Sequence, residues 1–179
     1  MRDKIGRVLM RWRIKTALPH VRGYLLDIGC GTNQLVRTYR EKLKGSGLGV
    51  DVYGWEGVDL VVKDSSKLPF ASESADTVAM LAVVNHIPDR EQVLLEIRRV
   101  LRPKGRLIMT MIPPGISRVW HILRRPWDAD QKERGMKEGE VFGLSRQEVR
   151  HFLTGAGFDI VLEKKFMLGV NCLTVAEKH

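Results

Sequence analysis

The segment Leu25-Leu26-Asp27-Ile28-Gly29-Cys30-Gly31-Thr32-Asn33 constrains this chain more than any other. An apolar run, two glycines one residue apart and an amphipathic stretch read as a strand, a tight turn and a helix. That layout brings a ligand against bare backbone. Glycine suits the turn because a Cβ would block the approach and because positive φ is open to it. A phosphate held there would lie at the helix N-terminus, where the carboxylate of Asp27 would repel it. The third glycine of a dinucleotide turn is also absent, since Gln34 stands three residues after Gly31. Asn33 follows instead, and asparagine tolerates left-handed backbone, so a positive φ is expected there.

Around this turn, apolar runs alternate with helical patterns, the mark of an α/β domain with a mainly parallel sheet. The chain has 179 residues and is 44% hydrophobic, enough for one domain with its own core. No repeat, low-complexity tract or linker divides it. The spacing predicts helices over 2–18, 34–44 and 145–156 and from Asp89 to about Leu101. It predicts strands over 24–28, 48–51, 60–63, 77–81, 107–111, 159–166 and 171–176, the last two as an antiparallel edge pair. Asp89 with Gln92, and Ser145 with Glu148, have the spacing of capping boxes. Leu35, Val36, Tyr39 and Leu43 are expected to face inward from the second helix.

A cationic ligand reverses the electrostatic objection at the glycine turn. S-adenosylmethionine carries a sulfonium, an ammonium and a carboxylate, and no phosphate. Asp27 then lies near its cationic portion, through water or backbone, with glycine amides lining the rest. The turn resembles the first motif, D-x-G-x-G-x-G, of the class I S-adenosylmethionine-dependent methyltransferases, of the type 11-like kind. "GLGVD" (47–51) resembles the second motif, and the resemblance puts Asp51 on the ribose hydroxyls. "VVKDSSKLPF" (61–70) resembles the third, which puts Asp64 on the adenine amino group and the Ser65 backbone on the ring. Cys30, Val52 and Leu81 complete the implied cofactor contacts. "SADTVAMLAVVNHIPD" and the helix after it, with Glu96, Ile97, Arg99, Val100, Leu101, Pro103 and Gly105, also match the family. The resemblance implies a Rossmann-like, doubly wound, mostly parallel seven-stranded sheet in the order 3-2-1-4-5-7-6, with the last strand antiparallel and helices on both faces. It implies S-adenosyl-L-methionine as cofactor and S-adenosyl-L-homocysteine as product. The family inserts a helix between the second and third strands, and Asp51 to Asp64 is too short for one. A tight loop, Tyr53–Gly57, is expected instead, with Trp55 either covering the adenine or ribose or packing on the domain edge.

A sulfonium methyl is already activated, so alignment of the acceptor and a proton acceptor suffice. His86, at the end of the fourth strand, is the best single candidate base; a local hydrogen bond at a helix start would explain it equally well. Asn85 and Ala82 replace a common His and Glu of the family. Residues 113–143 hold Trp120, His121, Trp127, Asp128, Glu138, Glu140 and Phe142 and match the region that commonly forms part of the acceptor pocket in this family. The two cysteines and five histidines lack metal-ligand spacing. No N/D-P-P-Y stretch follows the fourth strand, which counts against methylation of a nucleic-acid base.

Residues 1–22 carry seven basic side chains against Asp3 alone, a net +6 of the chain's +9. In the predicted helix, Ile5, Val8, Leu9 and Trp12 share one face. Three roles follow, in descending order: a lid over the cofactor, a peripheral contact with an anionic membrane, and nucleic-acid contact, for which interleaved aromatics are missing. The expectation is therefore a single-domain cytoplasmic methyltransferase for a small-molecule or lipid-linked acceptor, with peripheral membrane contact as an option. An RNA methyltransferase and a non-catalytic cofactor-binding partner protein are the alternatives.

Overall fold

The computed structural model describes residues 4–115, 141 and 143–179, with the side chains of residues 4 and 5 outside the description. Helix α1 (Lys4–Ala17) leads through a short 3-10 turn into strand β1 (Tyr24–Ile28), then α2 (Gln34–Leu43), β2 (Ser46–Asp51) and β3 (Leu60–Val61). Strand β4 (Ala75–Leu81), α3 (Arg90–Val100), β5 (Leu101–Met111), α4 (Arg146–Gly155), β6 (Phe158–Phe166) and β7 (Asn171–Lys178) complete it. The seven strands form one sheet in the order β3-β2-β1-β4-β5-β7-β6, as expected. Neighbours from β3 to β5 are parallel, and β7 runs antiparallel to both β5 and β6.

The central parallel strands are mostly apolar, as suits a sheet with helices on both faces. Leu26, Ile28, Val78 and Met80 meet Val93, Leu94 and Ile97 of α3 and Val149 and Leu153 of α4 in one core layer. On the opposite face, Leu25, Ala79 and Ile108 pack under Ile14 and Ala17 of α1 and Leu35, Val36 and Tyr39 of α2. Full burial of one such leucine stabilises the fold by about 1.5–3 kcal/mol.

Several boundaries moved for identifiable reasons. Arg102 precedes Pro103 and is disfavoured in helical backbone, so the helix stops at Val100 and β5 starts at Leu101, six residues earlier than its apolar run. Leu43 is 54% exposed, because α2 ends there and Lys44 turns left-handed at φ 53°. In α1 the docked face is Met10, Ile14 and Ala17, whereas Val8 and Trp12 point outward. The capping box at Ser145 and Glu148 is complete, and Asp89 accepts the Gln92 amide.

Candidate functional site at the carboxyl ends of the central strands

Strands β1, β2 and β4 end side by side, where ligands bind in open parallel sheets. The turn after β1 has φ 70° at Gly29, 53° at Gly31 and 57° at Asn33. Its two glycines do different work. A Cβ on Gly29 would strike Val83, which follows β4, so this glycine lets two strand ends close together. A Cβ on Gly31 would meet nothing within 4 Å, so open space lies beside this glycine.

Asp27 lies at the floor of this region, 3% exposed. Its Oδ1 is buried with no hydrogen-bond partner. Burial, and secondarily the neighbouring Asp51, push its carboxyl up to about 8. An isolated buried carboxylate is strongly unfavourable, and a cation would relieve it. Burial, with Asp27, Asp51 and Asp59 nearby, also raises the Cys30 thiol far above its ordinary value, so this sulfur is no nucleophile.

The turn amides are committed elsewhere than expected. Gly29 and Cys30 both donate to the Val50 carbonyl, at 2.8 and 3.1 Å, and Gly31 donates to Asp51 Oδ2 at 2.9 Å. Those amides hold the turn against β2; they do not line a ligand. Asp51 Oδ1 accepts the Tyr53 amide at 3.0 Å, so one carboxylate spans the glycine turn and the loop after β2. That loop contains no helix, as its length required. Trp55 is half-buried, its ring tilted 44° to Tyr53 at 5.8 Å.

Asn33 ties the shortened loop down. Its amide nitrogen donates to the Gly57 carbonyl and to Asp59 Oδ2, both at 2.9 Å. Its side chain occupies the space that a Cβ on Gly49 would fill. Burial works against ionisation of Asp59, but hydrogen bonds from the Gly49 amide, Asn33 and Arg40 outweigh it and hold that carboxyl below its usual range. The positive φ at Asn33 was expected; the clasp was not.

Asp64 is exposed and Ser65 half-buried on the segment after β3. Hydrogen bonds from the Ser66 amide (2.8 Å) and hydroxyl (2.7 Å) reach one oxygen of Asp64 and depress its carboxyl. The following Leu68–Phe70 stretch is clamped by α3. Glu96 accepts the Leu68 amide at 2.7 Å, while Arg99 donates to the carbonyls of Leu68 and Phe70 and to Glu96. Val52 is 39% exposed at the end of β2, and Leu81 is buried at the end of β4. His86 closes a 3-10 turn after β4, half-exposed, its amide bonded to the Val83 carbonyl at 2.8 Å. Trp120, His121, Trp127, Asp128, Glu138, Glu140 and Phe142 lie outside the described residues.

Two polar side chains escaped the sequence reading. Thr110 Oγ1 and both heteroatoms of Asn171 are buried without partners. Thr110 pairs with Leu173, and Asn171 stands two residues before it, so both share Leu173's face under α1. Asp27 lies two residues after Leu25 on that same face. The available signal was one polar residue at an inward position of each apolar strand. Among the described residues, no group of three or more His, Cys, Asp or Glu side chains is placed to hold a metal.

A family model described as a methyltransferase domain matches residues 26–109. The ubiquinone/menaquinone biosynthesis C-methyltransferase UbiE of Desulfotalea psychrophila is 28% identical, over 82% of this chain and 70% of its own. UbiE of Paraburkholderia phytofirmans is 27% identical, over all of this chain and 86% of its own. Among solved structures, the 1,6-didemethyltoxoflavin-N1-methyltransferase of Burkholderia thailandensis, with S-adenosylhomocysteine bound, matches with TM-score 0.71. That match covers 98% of this chain and 79% of the other, and at 17% identity the likeness is one of fold.

Proposed function

We propose that the chain is a class I S-adenosylmethionine-dependent methyltransferase that methylates an electron-rich, hydroxylated ring, free or lipid-linked; the methyltransferase-domain match over residues 26–109 and the UbiE relatives support this reading. The observation that carries the cofactor side is the unpartnered Asp27 oxygen beside the open face of Gly31. Residues of this site fit the cofactor: Asp27 faces its cationic methionine end, Asp51 takes the ribose hydroxyls, and Asp64 and Ser65 take the adenine. Cys30, Val52 and Leu81 supply the apolar contacts, and Trp55 borders the ribose. When bound, S-adenosylmethionine supplies a methyl group already activated by its sulfonium. The protein's own tasks are to align the acceptor, exclude water and accept a proton, for which His86 is placed at the end of β4.

The acceptor class rests on the relatives that are named as quinone-biosynthesis C-methyltransferases. Residues 113–143 form the acceptor-side insertion of a single domain spanning 1–179, with residues 1–22 as its lid. The outward Val8 and Trp12, set among exposed Arg7, Arg11 and Lys15, favour a peripheral contact between α1 and an anionic membrane. Among the described residues no helix is long and apolar enough to cross one.

Calorimetry with S-adenosylmethionine tests the cofactor site. Asp27→Ala is expected to abolish measurable binding while circular dichroism stays unchanged; undiminished affinity would refute the assignment. Transfer of labelled methyl to a demethylated naphthoquinol tests the acceptor class, and transfer to RNA alone would overturn it.

A further inference from the structure

The turn between β6 and β7 is built against its own backbone preferences. Met167 has φ 54° and Leu168 φ 56°, followed by Gly169 at 85°. The Gly169 amide donates to the Phe166 carbonyl at 3.2 Å and the Val170 amide to the Met167 carbonyl at 3.1 Å, so the turn is well formed. Asparagine and glycine adopt such backbone readily; methionine and leucine do not. The strain gains nothing for the core. Leu168 is fully exposed, at 104%, and no other large apolar side chain among the described residues is as exposed. In water, a strained turn that presents a leucine is doubly unfavourable.

The surroundings indicate what meets it. Lys164 and Lys165 are exposed just before the turn. Phe166, at its foot, packs against the cluster that contains Ile14 and Ala17 of α1. The turn therefore stands on the same layer of the molecule as α1, whose outward Val8 and Trp12 are also set in positive charge. Two exposed apolar points, each with exposed cations beside it, thus belong to one layer of the molecule. A second copy of the chain would oppose like charge with like, whereas an anionic bilayer complements both points.

We propose that the Met167–Leu168 tip inserts into the headgroup region of an anionic bilayer, as a second contact beside α1. The inference rests on the membrane reading of α1 given above. A single apolar point binds weakly and leaves the protein free to rotate. Two points fix its orientation, and they turn the hairpin foot, where Asn171 begins β7, toward the source of a lipid-linked acceptor.

Vesicles of phosphatidylglycerol and phosphatidylcholine, with sedimentation of the full chain, provide the test. The double substitution Met167→Asn, Leu168→Gly installs residues that suit the turn. It is expected to raise the melting temperature, leave S-adenosylmethionine affinity unchanged and weaken vesicle binding about tenfold or more. Leu168→Asn alone, which keeps Met167, is expected to weaken binding in the same direction. Undiminished binding by both variants, with loss on Arg7/Arg11 charge reversal, would overturn the hairpin contact and leave the α1 contact standing. Absence of vesicle binding by the wild type would overturn both. A wild-type dimer that these substitutions convert to monomer, with vesicle binding unchanged, would assign the tip to self-association and overturn the proposal.

Discussion

Asp27 is where sequence and energetics meet most directly. As the acid at the head of a glycine turn it argued against phosphate. In the fold it is a buried carboxyl with an unpaired oxygen, pushed up to about 8 from an ordinary 3.8. The folded, ligand-free protein therefore retains a proton that the unfolded chain loses near pH 4. Its stabilising contribution is full below that pH and is lost as pH rises through about 8. Asp27→Asn is expected to flatten this slope and to raise the melting temperature above pH 8, while losing the cofactor. Thermal melts of both proteins across pH 5–9 would check it, and parallel curves would refute it. A cationic ligand favours the ionised form, so binding near pH 6–7 is expected to release a proton. Calorimetry in two buffers of different ionisation enthalpy measures that release. Asn33 shows the limit of residue-level reasoning: its left-handed backbone was legible from side-chain chemistry. Its hold on Gly57 and Asp59 was not, because those partners lie 24 and 26 residues away.

At the scale of elements, the Glu96 and Arg99 signature of α3 acquires a physical purpose. The two side chains pair with each other and with the backbone of Leu68 and Phe70, which fixes the end of the segment carrying Asp64 and Ser65. Loss of Arg99 leaves the Leu68 and Phe70 carbonyls without this donor and Glu96 without its cation. Arg99→Ala is expected to destabilise the fold by about 1–3 kcal/mol and to weaken S-adenosylmethionine binding. The Asp64 segment should show raised amide exchange while α3 itself stays protected. Unchanged exchange across residues 64–70 would remove the clamp from the account. Helix α1 teaches the converse lesson. Its periodicity was clear, but a helix with apolar residues on several sides has no unique inward face until the sheet beneath is known.

For the whole molecule, the carboxyl ends of β1, β2 and β4 assemble Asp27, Gly31, Asp51 and His86 from three separate segments. Binding there should stabilise the whole domain through linkage. At a hundredfold excess over the dissociation constant the gain is about 2.7 kcal/mol, a rise in melting temperature of about 5–10 °C. A thermal-shift titration with S-adenosylhomocysteine measures it, and a flat response in folded protein would count against the site. The strand order and the missing helix between β2 and β3 were legible beforehand: one through the family resemblance of several motifs, the other through simple chain length. Local signals also determined the glycine turn, the two helix caps and the acid at the end of β2, because each depends on residues within a few positions of one another. Tertiary structure alone decided that the Gly29, Cys30 and Gly31 amides serve β2, that Asn33 clasps the loop, that Trp12 and Leu168 face outward, and that Thr110 and Asn171 are buried without partners. Those outcomes depend on which surfaces meet across the sheet, and contacts between residues far apart in the chain leave no periodicity to read.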